Sequence, residues 1–276
     1  MCRFFNEMEA NKSVTALCSF VITIMQLSYM YLKHTNIQHL PREGTIETKQ
    51  LVAASLENEA LTPNEQATLT PDAVIGLLRK GNKDFSEDAL TVRNNTACIR
   101  KSALSQYPKA VVLSCMDSRV PVEDVFHRGI GDLFVLRIAG NFINDDILGS
   151  LEYACKVSCA KLIVVMGHEH CGAIRSIIDE VEIGFITSML SNIRPALDKA
   201  KETFKGRKCS SNAAFVNKVC ICNIENSVQK IRDRSSILKE MEDKGEIKIV
   251  GAFYHMKTGK IAFLKEKTKK RQRLLP

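Results

Sequence analysis

The stretch "KLIVVMGHEHCGA" (residues 161–173) decides the fold. Leu162 to Met166 is an unbroken apolar run. A strand with one wet face alternates apolar and polar residues. An unbroken run of this length reads instead as a strand covered on both faces, the usual state of a parallel strand between helical layers. Gly167 ends the run, and "GAIRSIIDEV" (172–181) continues with helical spacing. His168, His170 and Cys171 therefore sit just past a strand end, which is where open α/β sheets hold ligands.

Three further runs have the same character: "AVVLSC" (110–115), "DLFVLRIA" (132–139) and "IKIVGAFY" (247–254). Helical patterns lie between them, in "PVEDVFHRG", "DDILGSLEYACKVS" and "ITSMLSNIRPALDKAKETF". "AFVNKVCICNIENSVQKIRDRSSILKEMEDKG" (214–245) reads as one long helical pattern with Gly245 as its stop. After the fourth run, "HMKTGKIAFL" (255–264) predicts a turn and a final antiparallel strand. The alternation predicts an α/β fold: a mostly parallel central sheet of four to five strands flanked by helices.

The ends of the chain differ from this middle. Ser13 to Leu32 carries no charge and is long enough to span a bilayer, though Ser, Thr and Gln26 dilute it. Residues 1–33 are read as an export signal or membrane anchor, which predicts an exported, periplasmic or membrane-anchored protein. An amphipathic or buried N-terminal helix in a cytoplasmic protein is the alternative. Residues 34–70 are polar without a sustained apolar period and read as a linker. The globular domain is assigned to 71–266, opening on Thr70 as a helix cap and Pro71 at the first helical position. Residues 267–276 form a basic tail.

Composition narrows the function. An apolar fraction of 45% suits a chain with a real core. The formal charge of +8 is dispersed apart from the tail, and no aromatics interleave with the basic residues, so no nucleic-acid partner is expected. Ten cysteines in a chain this long do not form a disulfide scaffold, and they fit a reducing compartment better than an oxidising one. In that respect they oppose the N-terminal run.

Two strand ends carry soft metal ligands. "AVVLSCMDSRV" (110–120) ends on Cys115, and the quoted stretch supplies His168 and Cys171. Thiolate and imidazole suit zinc, and three protein ligands leave a fourth position for water or for a further side chain. Asp117 is close enough in sequence to Cys115 to reach the same metal, or to form a bidentate pair with Arg119. In the second case the carboxylate is left to accept a hydrogen bond from a water. Zn²⁺ with two thiolates is electrically neutral, so it activates water less than a three-histidine site whose water has a pKa of roughly 7. The Asp117–Arg119 pair then has more to contribute. His168 and Cys171, three apart, share a face if a helix starts here. His170 and Cys171, adjacent, do not, so His168 is taken as the ligand.

These residues resemble the β-class carbonic anhydrases, whose hallmark is C-x-D-S-R followed by H-x-x-C. "CMDSRV", "GHEHCGA", the intervening "VPVEDVFHRGIGDLFVLRIAGN" (120–141) and the ending "GAFYHMKTGKIAFL" (251–264) all carry the likeness, over about residues 72–266. The resemblance implies reversible hydration of CO₂ to bicarbonate and a proton, by attack of zinc-bound hydroxide. It implies one Zn²⁺ per subunit on Cys115, His168 and Cys171, with Asp117 and Arg119 as the catalytic pair and Asp117 as a conditional fourth ligand. Gln106, Phe134, Tyr153 and Gly172 would form the substrate pocket, with CO₂ and bicarbonate as its occupants. A homodimer or dimer of dimers is implied, with a helix within 72–100 clasping the neighbour. Val112 stands where some members carry a Trp linked to an inhibitory bicarbonate site, so no such site is expected. Two rivals are a COS or CS₂ hydrolase on the same scaffold and a zinc-binding regulator that has lost catalysis. His127 and His170 are read as ordinary surface histidines rather than proton shuttles.

Overall fold

The computed structural model describes residues 60–90 and 94–265. All of them belong to the second of two units of the chain, Ala54–Pro276. The N-terminal segment 1–33, the linker up to residue 59 and the basic tail 267–276 lie outside the described residues.

The last part of the expected linker is built into the domain. Helix α1 (Pro63–Thr68) opens on Thr62, whose side chain and that of Glu65 cap each other's backbone N–H groups. Gln66 is buried and its amide donates to the carbonyls of Pro108 and Ser158, both at 2.8 Å. One polar residue aimed inward is enough to dock a helix whose composition reads as linker. Helix α2 (Pro71–Ser86) follows, capped by Thr70 as expected, and α3 (Asn95–Ser102) precedes the sheet.

The strands are β1 (Ala110–Ser114), β2 (Leu133–Arg137), β3 (Leu162–His168), β4 (Lys248–Tyr254) and β5 (Ile261–Phe263), in the spatial order β2-β1-β3-β4-β5. The first four are parallel, and β5 returns antiparallel to β4. The connections are α4 (Val122–Val125), α5 (Asp145–Glu152, continued by a π turn over Tyr153–Val157), α6 (Gly172–Ile178), α7 (Gly184–Ser191), α8 (Arg194–Thr203), α9 (Ala213–Arg234) and α10 (Ser236–Asp243). The expected single helix over 214–245 is thus two. Ser235 leaves helical geometry and its hydroxyl accepts from the Leu238 N–H, capping α10. Gly245, at φ +75°, does end the second piece.

Alternate residues of each strand serve opposite faces. Val111, Leu113, Ile163, Val165 and Ile249 face one core with α5, α6, α8 and α9. Val112, Leu162, Val164, Met166 and Ala252 face a second core with Val74 and Leu78 of α2. Both sides being covered explains why the strands read as continuous apolar runs. The chain runs from β1 outward to β2, then crosses to β3 on the other side of β1. The strand order therefore reverses between β1 and β3. The loops leaving those two strands diverge there and leave a crevice at their carboxyl ends.

Candidate metal centre

Cys115 directly follows β1 and His168 ends β3, the strands flanking that crevice, and Cys171 stands at the N-cap position of the helix that follows β3. Their ligand atoms all lie within 4.8 Å of one another, and all three residues are buried. The two sulfurs are 3.9 Å apart. His168 is the last residue of β3, and α6 starts only at Gly172. His168 and Cys171 are therefore not brought together by a helical face, as their spacing suggests. A tight turn does it instead: His170 adopts φ +55° and reverses the chain, so that Cys171 folds back beside His168. His170 itself is exposed, and its Nδ1 lies 3.3 Å from an Arg175 nitrogen.

The histidine is preset for a ligand. Its Nδ1 lies 2.8 Å from the Glu169 carbonyl, which can only accept, so Nδ1 carries the hydrogen. The lone pair is left on Nε2, which is buried without a hydrogen-bond partner. A buried nitrogen with an unused lone pair beside two sulfurs is costly unless something occupies the point between them. A soft or borderline divalent metal fits that donor set. The sulfurs are unequal as they stand. The Cys171 thiol donates to Cys115 and the Gly140 N–H (3.4 Å) assists, so the Cys115 thiol is held well below its usual range. Cys171 is pushed up by that same hydrogen bond and by burial.

Asp117 stands beside the cluster, with Oδ2 3.9 Å from His168 Nε2. Arg119 donates to both of its oxygens and holds the carboxyl down to about 2, far into the ionised range. Arg137 steadies this loop from β2, donating to the carbonyls of Cys115 (3.2 Å) and Asp117 (2.6 Å). Glu169 turns away, accepting from the Met256 N–H and lying 3.2 Å from His255 Nδ1.

Within one copy, three of the four expected pocket residues stand apart from the cluster. Phe134 and Tyr153 line a cleft of about 570 Å³ along the outer edge of β2, together with Val111, Leu136 and Gly149. None of the three cluster residues lines it. Phe134 pairs with Val111, four residues before Cys115, which at the rise of a strand is roughly 13 Å away. Gln106 is exposed in the segment before β1. Within a single copy these residues do not join the cluster. Gly172 does border open space: a Cβ there would meet nothing within 4 Å. His127, read as a surface residue, is in fact buried at 3% exposure, with Nδ1 3.6 Å from Asp84.

Several residues that support the cluster escape a reading of the sequence: Arg137, Gly140, Cys220, Asn223 and Ser227. A trace of each is visible in retrospect. Arg137 is a charge closing an apolar strand, and the last three are polar groups at helical spacing on the core face of α9.

A family profile described as "Carbonic anhydrase" matches residues 110–261, more than half of the 276-residue chain. A carbonic anhydrase of Mycolicibacterium smegmatis is 36% identical over 169 residues, covering 59% of this chain and 78% of that one. Carbonic anhydrase 2 of Mycobacterium tuberculosis is 34% identical over 192 residues, covering 69% of this chain and 91% of its relative. Among solved structures, a Coccomyxa β-carbonic anhydrase in complex with acetazolamide superposes with a TM-score of 0.55 at 26% identity, covering 67% of this chain and 83% of that one. A tetrameric β-carbonic anhydrase of Sordaria macrospora gives 0.55 at 22% identity, covering 62% and 87%, a likeness of fold.

Proposed function

The chain belongs to the β-class carbonic anhydrase family, and from that premise we propose that it catalyses the reversible hydration of CO₂ to bicarbonate and a proton. The observation that supports this reading most is the buried, partnerless Nε2 of His168 set between Cys115 and Cys171. Those three residues would hold one Zn²⁺. When bound, the metal supplies activation of a water as a nucleophile near neutral pH.

The chain's own groups supply direction. Asp117, ionised and pinned by Arg119, is an acceptor and not a proton donor at neutral pH. A water hydrogen-bonded to it is turned so that its free lone pair faces incoming CO₂. Arg119 holds both carboxylate oxygens, with Oδ2 3.9 Å from His168 Nε2, and so restrains the carboxylate from turning to become a ligand itself. Gly172 borders open space next to Cys171, and CO₂ would approach there.

Elemental analysis should find one zinc per wild-type chain, and stopped-flow assay should find CO₂ hydration. His168→Ala should lose both, and His170→Ala should keep both. A chain with its full zinc complement and no hydration above background would sink the proposal.

We further propose a homodimer or a dimer of dimers. Among the described residues strand β2 is an edge of the sheet, and Leu104 (101% exposed), Tyr153 (55%) and Val157 (63%) are exposed apolar groups. A second copy over this edge would bring its surface to the cleft of Phe134 and Tyr153. Light scattering giving a monomer at micromolar concentration would overturn this. Export or membrane tethering through residues 1–33 is likewise a proposal. Among the described residues no helix is long and apolar enough to cross a membrane, and Ser13–Leu32 lies outside them. Fractionation of cells expressing the full chain, against one starting near Thr70, tests it.

A further inference from the structure

Helix α9 faces an apolar core, yet Cys220, Asn223 and Ser227 are buried on it, at 2% exposure or less. Their spacing of three and four residues puts them in one stripe. Buried polar groups on a core helix are costly unless each finds a partner. Here each donates to a backbone carbonyl beside the metal cluster. Cys220 Sγ donates to the carbonyl of His168 (3.5 Å), Asn223 Nδ2 to that of Gly140 (2.7 Å) and Ser227 Oγ to that of Asn141 (3.2 Å).

The last two contacts hold an unusual turn. Gly140 and Asn141 are both left-handed, at φ +82° and +40°. A Cβ at Gly140 would also meet Ile193 Cδ1 at 2.5 Å and Ala173 Cβ at 3.2 Å. Asn tolerates this conformation better than most residues, but the turn is not one a free chain favours. Its result is that the Gly140 N–H points at Cys115 Sγ from 3.4 Å. An N–H on a thiolate draws charge from the sulfur and makes it a weaker donor to a metal. On the third contact, β3 and α9 approach closely at the ligand: a Cβ on Gly167 would meet Cys220 Sγ at 2.6 Å.

We infer that Cys220, Asn223 and Ser227 are positioning residues of the metal centre, fixing the Gly140 N–H on Cys115 and the end of β3 that carries His168. They touch neither metal nor substrate. The inference rests on the proposed metal centre and adds what sets its electron donation and grip. Helix α9 is then part of the metal site and not only a layer of the core.

The test loads cobalt(II) or zinc into the full chain of wild type, Asn223→Ala, Ser227→Ala, Ser227→Thr and Val216→Ala. Val216 is buried on the same helix and serves as a packing control. Asn223→Ala and Ser227→Ala should free Cys115 from the Gly140 N–H and shift the thiolate-to-cobalt charge-transfer band to lower energy, and the loosened loop should outweigh the stronger donor, shedding zinc to a chromophoric chelator about ten-fold faster or more. Ser227→Thr keeps the hydroxyl and should restore both readings. Val216→Ala should lower the melting midpoint and move neither. Wild-type band and zinc release in both Asn223→Ala and Ser227→Ala, with only the midpoint lowered, would overturn the inference. If Asn223→Ala does not fold, the two Ser227 variants decide between these outcomes by the same readings. A wild-type chain that takes up neither metal would overturn the metal centre itself, a different result from a loaded wild type with unmoved variants.

Discussion

Arg119 takes both oxygens of Asp117. Its Nε donates to Oδ1 at 2.9 Å and its Nη2 to Oδ2 at 2.7 Å, while its backbone N–H adds a third bond to Oδ1 at 3.0 Å. A planar fork on a planar carboxylate fixes direction as well as distance. It leaves Oδ2 on the side of the cluster, 3.9 Å from His168 Nε2.

Arg119→Lys should therefore be costly although the charge is kept. A lysine cannot make the two parallel bonds, so Asp117 gains freedom to turn inward. CO₂ hydration should fall about 10- to 100-fold with zinc content unchanged, the range seen when partners of metal-site groups are lost. A variant with wild-type rate would show that the fork is not needed.

The same pair sets a pH dependence. The Asp117 pKa is lowered on folding, from 3.8 to about 2. A lowered carboxyl contributes stability that is fully present above its unfolded value and is lost as pH falls through the folded one. The loss belongs to the window from about 4 down to about 2, and nothing above pH 5 comes from this group. Asp117→Asn should flatten acid unfolding in that window alone. A change in the slope of stability between pH 6 and 8 would contradict the assignment.

Metal-stripped protein should hold one thiolate at pH 7. The hydrogen bond from Cys171 holds Cys115 well below the usual thiol range, while Cys171 is pushed upward. Ultraviolet thiolate absorbance should be present at neutral pH, vanish on acidification, and be absent at pH 7 from Cys115→Ala. Two thiolates at pH 7, or none, would show that the sulfurs do not share the proton in this way.

Outside the cluster, thiol reactivity should divide by burial. Burial pushes Cys155 and Cys220 up to about 12. Cys209 is lowered by its contact with the Ser211 hydroxyl, at 3.1 Å. Brief alkylation of the native protein at pH 8 should label Cys209 and leave Cys155 and Cys220 untouched until the chain is unfolded. Peptide mapping reads the outcome, and early labelling of Cys220 would argue that α9 opens readily.

One buried amide ties the ends of the domain together. Asn82 of α2 donates to the carbonyls of Val125 (3.1 Å) and Gly259 (2.8 Å) and accepts from the Ile261 N–H (2.7 Å). Asn82→Ala leaves those backbone groups unsatisfied and should cost about 2–3 kcal/mol in chemical denaturation. Zinc content should not change, since Asn82 packs on the far face of the sheet. Loss of metal at full folding would place it closer to the site than these contacts allow.

Much of the fold is legible in the chain. The strand runs at 110–115, 132–139, 161–167 and 247–254 correspond to β1 to β4 within a residue or two, because burial on both faces leaves no room for polar residues. Cys115, His168 and Cys171 are legible because soft ligands past two strand ends are rare, whatever the local geometry. The local geometry is not: a strand and a left-handed His170, rather than a helical face, bring His168 to Cys171. Docking of α1 through Gln66 and the break at Ser235 are equally hidden, because each depends on one polar side chain and its partner.

What the sequence alone determined is the class of fold, the three candidate metal ligands and the Asp117–Arg119 pair, since these follow from periodicity and short spacings. The tertiary structure decided which side of β1 each loop lands on, which residues hold those loops, and that Phe134 and Tyr153 stand apart from the cluster in one copy. The Asn223-to-Gly140 contact joins residues 83 positions apart. No local pattern encodes such a bond, because it exists only once helix and sheet have packed.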